Sequence, residues 1–251
     1  MRSLEILGCR LDTIGAEEAT KRILAFAADR TGAHVVTLGT EMVVYAQRDG
    51  QFRDTINRCA LSLCDTVGLL AVARRRGAAL RERVTGVELI ELLCEKAAAA
   101  DMPVFLFGGA PGVAAEAAAI LQGRFAGLKV AGTRSGYIAS AEANEIAWEI
   151  RNSGARLLFV GLGSPRQEFW LAENLPRSGA GAGIGVGGSF DVISGRVRRA
   201  PHLWRKLNLE WLYRLASEPA RWRRQLALPY FVWLIALDRF GLYAKKGTTP
   251  P

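Results

Sequence analysis

The stretch "FLFGGAPGVAAEAA", Phe105 to Ala118, joins an apolar run to a glycine turn and an alanine-rich helix start, with Pro111 near the first turn. "FVGLGSPRQEFW", Phe159 to Trp170, repeats the device. There Ser164 suits the N-cap and Pro165 the first helical position. Working outward, the same alternation continues. "HVVTLGT" reads as a buried strand, and "EMVVYAQRDGQFRDTINRC" as helix and turn. "ALSLCDTVGLLAVARRRG" is a strand, a loop at Asp65 and a helix. "VELIELLCEKAAAA", "SAEANEIAWEIRNSG" and "PRQEFWLAENL" read as helices, "LKVAGTRSGYI" as a strand, and "AGIGVGGSFDVISG" as a strand and loop. This order predicts an α/β fold: a mainly parallel sheet with helices on both faces, a Rossmann-like core.

Sheets of this kind hold ligands beyond the carboxyl ends of their strands. The loops that matter therefore follow Val36, Leu63, Phe107, Val160 and Val186. They carry Thr37 and Gly39, Asp65, Gly108 and Gly109, Gly163 and Ser164, and Gly187 and Gly188. Helix N-termini after the glycine turns offer free N–H groups and a positive dipole end, which suits a phosphate. A glycine after a strand also makes an ordinary tight turn. Neither turn is GxGxxG or a P-loop, which weighs against dinucleotides and ordinary ATP chemistry. Asp65 is a carboxylate at a strand end, fitting either a helix N-cap or a catalytic base. Asp191, in "GGSFDVISG", fits a catalytic, ligand-binding or loop-capping role.

Composition supplies the other half of the reading. The chain has 251 residues and a net charge of +9. Through Gly195 there are 21 Lys+Arg and 21 Asp+Glu; beyond it, 12 basic residues face only Glu210, Glu218 and Asp238. All of the excess charge lies in the last fifth of the chain, which implies an anionic partner for that end. "RVRRAP", Arg196 to Pro201, marks the break, dividing a core (residues 1–195) from a basic, aromatic, helical appendage (196–251). Cys9, Cys59, Cys64 and Cys94 form no CxxC, and with no signal peptide in view they read as free thiols of a reducing cytoplasm. No run reaches the ~20 apolar residues needed to span a bilayer. The chain also contains no DxD pair, so no metal site and no cofactor are expected. Some other cation must then offset a leaving diphosphate, and the appendage arginines are available for it.

Taken in order, "TLGTEMVVYAQ", "LCDTVGLL", "ERVTGVEL", "FLFGGAPGVAAEAA", "GYI", "LFVGLGSPRQEFW", "GVGGSFDVISGRVRRAP" and "LNLEWLYRLASEPARWRR" closely resemble the WecG/TagA/CpsF glycosyltransferases. The resemblance spans essentially the whole chain. It implies a cytoplasmic enzyme, peripheral at the inner face of the cell membrane, that needs no metal and inverts the anomeric centre. The donor is a UDP-sugar, best read as N-acetylmannosamine or its uronic acid. The acceptor is a polyprenyl-diphosphate-linked saccharide of envelope or exopolysaccharide synthesis. Asp65 matches the family's base and Thr37 the threonine facing it, while Arg214, Arg221 and Arg224 match arginines that close over the site. UDP-sugar contacts are implied for Gly39, Arg83, Gly109, Tyr137, Gly163, Ser164, Gln167, Gly187, Gly188, Phe190 and Asp191.

The chain departs from the family pattern at "TLGTE", "CDT" and "RVTG", where TPNPE, PDG and RVPG are usual. Gly39 thus replaces an asparagine, which bears on sugar identity more than on reaction type. In the appendage, Trp211, Tyr213, Trp222 and Trp233 suit the headgroup zone of an anionic membrane. Binding of nucleic acid is the competing reading of a basic tail, but the long apolar run interleaved with these charges has no use on DNA, so no nucleic acid is expected. A UDP-glucose-type hexosyltransferase is the competing enzyme, and a nucleotide-binding regulator without turnover is a third reading. A homo-oligomer is compatible with all of these.

Overall fold

The computed structural model describes residues 3–197, Pro201, Trp204 and residues 227–243. A hairpin of β1 (Ser3–Ile6) and β2 (Cys9–Asp12) precedes helix α1 (Ala16–Asp29). The main sheet has six parallel strands: β3 (Ala33–Leu38), β4 (Leu61–Cys64), β5 (Val104–Gly108), β6 (Val130–Arg134), β7 (Leu157–Gly161) and β8 (Ala182–Gly185). Their order across the sheet is β4-β3-β8-β7-β5-β6. The expected α/β fold with a parallel sheet is therefore present.

Alternate residues along each strand feed opposite faces, as the two-residue period of a strand requires. Val35, Leu106 and Phe159 join one apolar cluster, with α1, α5 (Gly86–Ala99), α6 (Val113–Arg124) and α9 (Ser189–Ile193). Val36 and Leu38 face α2 (Thr40–Ala46), α3 (Gly50–Arg58) and α4 (Val67–Arg75). Phe107 and Val160 face α7 (Ala143–Ser153) and α8 (Arg166–Ser178). Burial on both faces is why β4, β5 and β8 contain only buried residues and read as unbroken apolar runs.

The hairpin protects one edge of the sheet. Asp12 is fully buried and its Oδ2 accepts the Ser62 N–H of β4 at 2.8 Å. Arg10, beside it, donates to the carbonyls of Asn57 and Cys59. An edge strand that would otherwise present open N–H groups is covered in this way. Three local expectations shift. Residues 189–193, read as loop, form the short helix α9. One helical turn is too short to show a 3.6-residue period. Ser164 is not the cap of α8; Pro165 occupies that position, after a cis peptide bond. Asp65 is not the cap of α4, since Thr66 holds that place.

Part of the appendage folds back. Helix α10 (Ala227–Arg239) buries Phe231 and Leu234 in the cluster shared with α2 and α4. Asp238 pairs with Arg76, and the Tyr243 hydroxyl bonds Gln47. No helix of the described residues is long and apolar enough to cross a membrane.

One half-buried residue of the sheet makes stability depend on pH. Nε2 of His34, on β3, is buried with no hydrogen-bond partner, and burial pushes its pKa down to about 4 from 6.5. Between these values the unfolded chain binds a proton that the folded chain refuses. The contribution to stability is therefore fully present above the ordinary value and is lost as pH falls towards 4. The melting temperature should drop more steeply from pH 6.5 to 4 in the wild type than in His34→Gln. Parallel curves would place the acid sensitivity elsewhere.

Candidate active site

Strand order fixes where a ligand fits. β5 is followed by α6 on one face of the sheet, while its neighbour β7 is followed by α8 on the other. Between their carboxyl ends the two chains diverge and leave a crevice, as at the switch point of any open α/β sheet. A cavity of about 510 Å³ lies there, in the range of small-molecule sites.

Its walls are mostly backbone. Gly109, Tyr137, Gly163, Gly187, Gly188 and Asp191, all named from the sequence, line it together. The β6–α7 loop closes one side: Gly136 N donates to Gly109 O at 2.9 Å, and Tyr137 stands 77% exposed at the rim. Arg166, at the start of α8, also lines the cavity; among the described lining residues it is the only cation, and Asp191 is the only acid. Arg166 lies inside "GSPRQE" but was not among the residues expected from the sequence, since nothing local distinguishes it from any arginine in a first helical turn. One guanidinium, one carboxylate and one ring around a glycine-lined cavity can complement the phosphates, sugar hydroxyls and base face of a nucleoside diphosphate.

The remaining predicted residues sit beside this cavity or beneath it. Thr37, Gly39 and Asp65 occupy the ends of β3 and β4, on the far side of β8 from the crevice. Arg83 precedes Val84, whose N–H bonds the Cys64 carbonyl at 2.6 Å, so Arg83 lies at the same strand end as Asp65. The Thr37 hydroxyl donates to the Gly185 carbonyl at 2.8 Å. Phe190 is fully buried under Gly161 and forms the floor of the cavity rather than its lining. Gln167 is also buried, and its Oε1 accepts the Gly187 N–H at 2.9 Å. Glu168 is fully buried beside it. Burial pushes its carboxyl up, while the Gln167 amide and the Ser164 hydroxyl act in the opposite direction. Arg214, Arg221 and Arg224 lie outside the described residues.

Helix α10 borders the Asp65 side. A Cβ on Gly68 would fall 2.7 Å from Thr40 Cγ2 and 3.6 Å from Phe231 Cε1, so the helix packs against the first turns of α2 and α4, which follow Gly39 and Asp65.

The family model of the WecG/TagA/CpsF glycosyl transferases matches residues 4–245. The chain belongs to this family. It is therefore a glycosyltransferase. Among curated relatives, the N-acetylglucosaminyldiphosphoundecaprenol N-acetyl-beta-D-mannosaminyltransferase of Bacillus spizizenii is 35% identical over 201 residues. The match covers 80% of this chain and 77% of that enzyme.

The crevice depends on one close approach, which can be tested. Gly108 has φ +142°, and a Cβ on it would fall 2.6 Å from Gly161 Cα. Gly108→Ala should cost roughly 1–3 kcal/mol of unfolding free energy in urea, with an unchanged m-value, from strain at this position. A variant as stable as wild type would mean that the two strands separate there without penalty.

Proposed function

We propose that this glycosyltransferase moves N-acetylmannosamine from UDP to an N-acetylglucosaminyl-diphospho-polyprenol acceptor, inverting the donor's anomeric centre. The observation that carries the reading is the relative of that specificity, 35% identical across four-fifths of the chain. The geometry supports it. On this reading UDP occupies the crevice at β5 and β7 with its phosphates beside Arg166, and the sugar and acceptor extend across the ends of β8 and β3 towards Asp65 at the end of β4.

In the reaction the acceptor hydroxyl attacks the anomeric carbon, the bond from that carbon to the UDP oxygen breaks, and UDP departs with the electron pair. Asp65 takes the hydroxyl proton. Inversion follows because nucleophile and leaving group occupy opposite faces of the sugar. With no DxD pair in the chain, guanidinium and backbone N–H groups take the charge of the leaving diphosphate. Arg166 is one of these, and Arg214, Arg221 and Arg224 are proposed to complete the set.

The acceptor's lipid supports a peripheral position at an anionic membrane face. Val232, Trp233, Phe240 and Leu242 are exposed on and just beyond α10, and Tyr230 stacks on Trp233 with ring centres 5.5 Å apart. An apolar stripe with aromatic rings beside a strongly basic segment suits the headgroup zone of an anionic leaflet.

Incubation of UDP-N-acetylmannosamine with a short-chain diphosphate acceptor, in excess EDTA, should release UDP and form the disaccharide. Turnover with UDP-glucose instead would favour the hexosyltransferase reading. Activity lost in chelator and restored by Mg²⁺ would overturn the metal-independent one. In the same assay Asp65→Asn should reduce turnover by roughly 10²–10⁴-fold, the contribution of a positioned base, while UDP affinity stays near wild type. Full activity in Asp65→Asn would remove Asp65 from the chemistry.

A further inference from the structure

Gln167 and Glu168 form the most completely buried polar pair beside the crevice among the described residues. Gln167 is 2% exposed and Glu168 is 0% exposed. The Gln167 amide is engaged at both ends: Oε1 accepts from Gly187 N at 2.9 Å, and Nε2 donates to Glu168 Oε1 at 2.7 Å. We propose that Gln167 and Glu168 work as one positioning unit that fixes the Gly187–Gly188 wall of the donor crevice, and that neither is a ligand of the transferred sugar.

The chemistry of the amide carries this. One end of the group accepts and the other donates. A flipped Gln167 would turn Nε2 towards the Gly187 N–H, donor against donor, and Oε1 towards a carboxylate, acceptor against acceptor. Glu168 therefore holds the orientation that Gly187 needs. Its own position is costly: the carboxyl is buried, and Oε2 has no hydrogen-bond partner. A leucine of similar size would serve a purely structural position better. Gly185 makes room for the pair, since a Cβ there would fall 2.8 Å from Gln167 Nε2 and 3.3 Å from Glu168 Oε1. The carbonyl of that same glycine takes the Thr37 hydroxyl. The unit thus lies under the end of β8, between the crevice and the strand ends of Thr37 and Asp65.

The predicted effect on catalysis rests on the donor reading above; the predicted effect on Gly187 does not. Glu168→Leu and Gln167→Leu, each confirmed as folded by its melting curve, should lose protection of the Gly187 amide against hydrogen exchange by roughly tenfold or more. Glu168→Gln, which keeps an acceptor for Nε2, should retain most of it. In turnover, both leucine variants should raise the KM for UDP-N-acetylmannosamine roughly tenfold and leave kcat within about twofold. The double variant should be no worse than the worse single one, because the two residues act through one contact. Unchanged Gly187 protection in a folded Glu168→Leu protein overturns the proposal. So do single effects that add in the double variant, or a fall in kcat at constant KM, which would put the amide on the reacting sugar. If the wild type fails to use this donor at all, the substrate reading falls, while the exchange experiment still decides the role of the pair.

Discussion

Where β5 and β7 end, the backbones of Gly108 and Gly161 lie side by side in register, and Gly109 N donates to Gly161 O at 3.0 Å. No side chain separates them. This close approach lets two strands whose helices leave on opposite faces run parallel to their last residues and then part abruptly, which opens the crevice. Gly136 approaches the same turn: a Cβ on it would fall 3.1 Å from Gly108 Cα. The three glycines bring three loops to one point, and the cavity is bounded largely by peptide groups. Peptide N–H groups cost no side-chain entropy to order, so a site of this kind is largely formed before a ligand arrives.

Much of this was legible in the chain. The parallel sheet could be read because strands buried on both faces are apolar without alternation, as "VFLFG" and "LLFVG" are. Of the six named residues that line the cavity, Gly109, Gly163, Gly187 and Gly188 follow strand-like runs and Asp191 is a loop carboxylate, whereas Tyr137 was indicated only by the family resemblance. What escaped notice has physical reasons. The β1–β2 hairpin has four-residue strands, and its key contacts, Asp12 to Ser62 and Arg10 to Cys59, join positions about 50 apart. No local pattern encodes such a pairing. Arg166 carries no local signal of a site, because only the turn of the chain at Gly163 brings the start of α8 to the cavity. Phe190 and Gln167 stood in motifs and were read as contacts, yet both are buried. A motif records that a position matters and does not say whether it faces the ligand or supports what does.

β8 mediates between the two halves of the site. It lies between β3, which carries Thr37, and β7, which borders the crevice. Its last residue, Gly185, bonds the Thr37 hydroxyl through its carbonyl and leaves space for the Gln167 amide beneath. Displacement of this strand end would therefore move the threonine and the glycine wall together. Donor and acceptor must meet to within bonding distance, and misplacement by about 1 Å can cost on the order of 10²-fold in rate. On the proposed function, a single strand end shared by the donor and acceptor subsites is a direct way to hold that distance.

The uneven charge of the chain fits this layout. A neutral body has no long-range pull on an anionic surface, whereas a cationic end orients the whole molecule towards one. Helix α10 belongs to that end and packs against the first turns of α2 and α4, which follow Gly39 and Asp65. On the proposed function, a lipid-linked acceptor enters on the α10 side, while the nucleotide approaches from the Tyr137 rim.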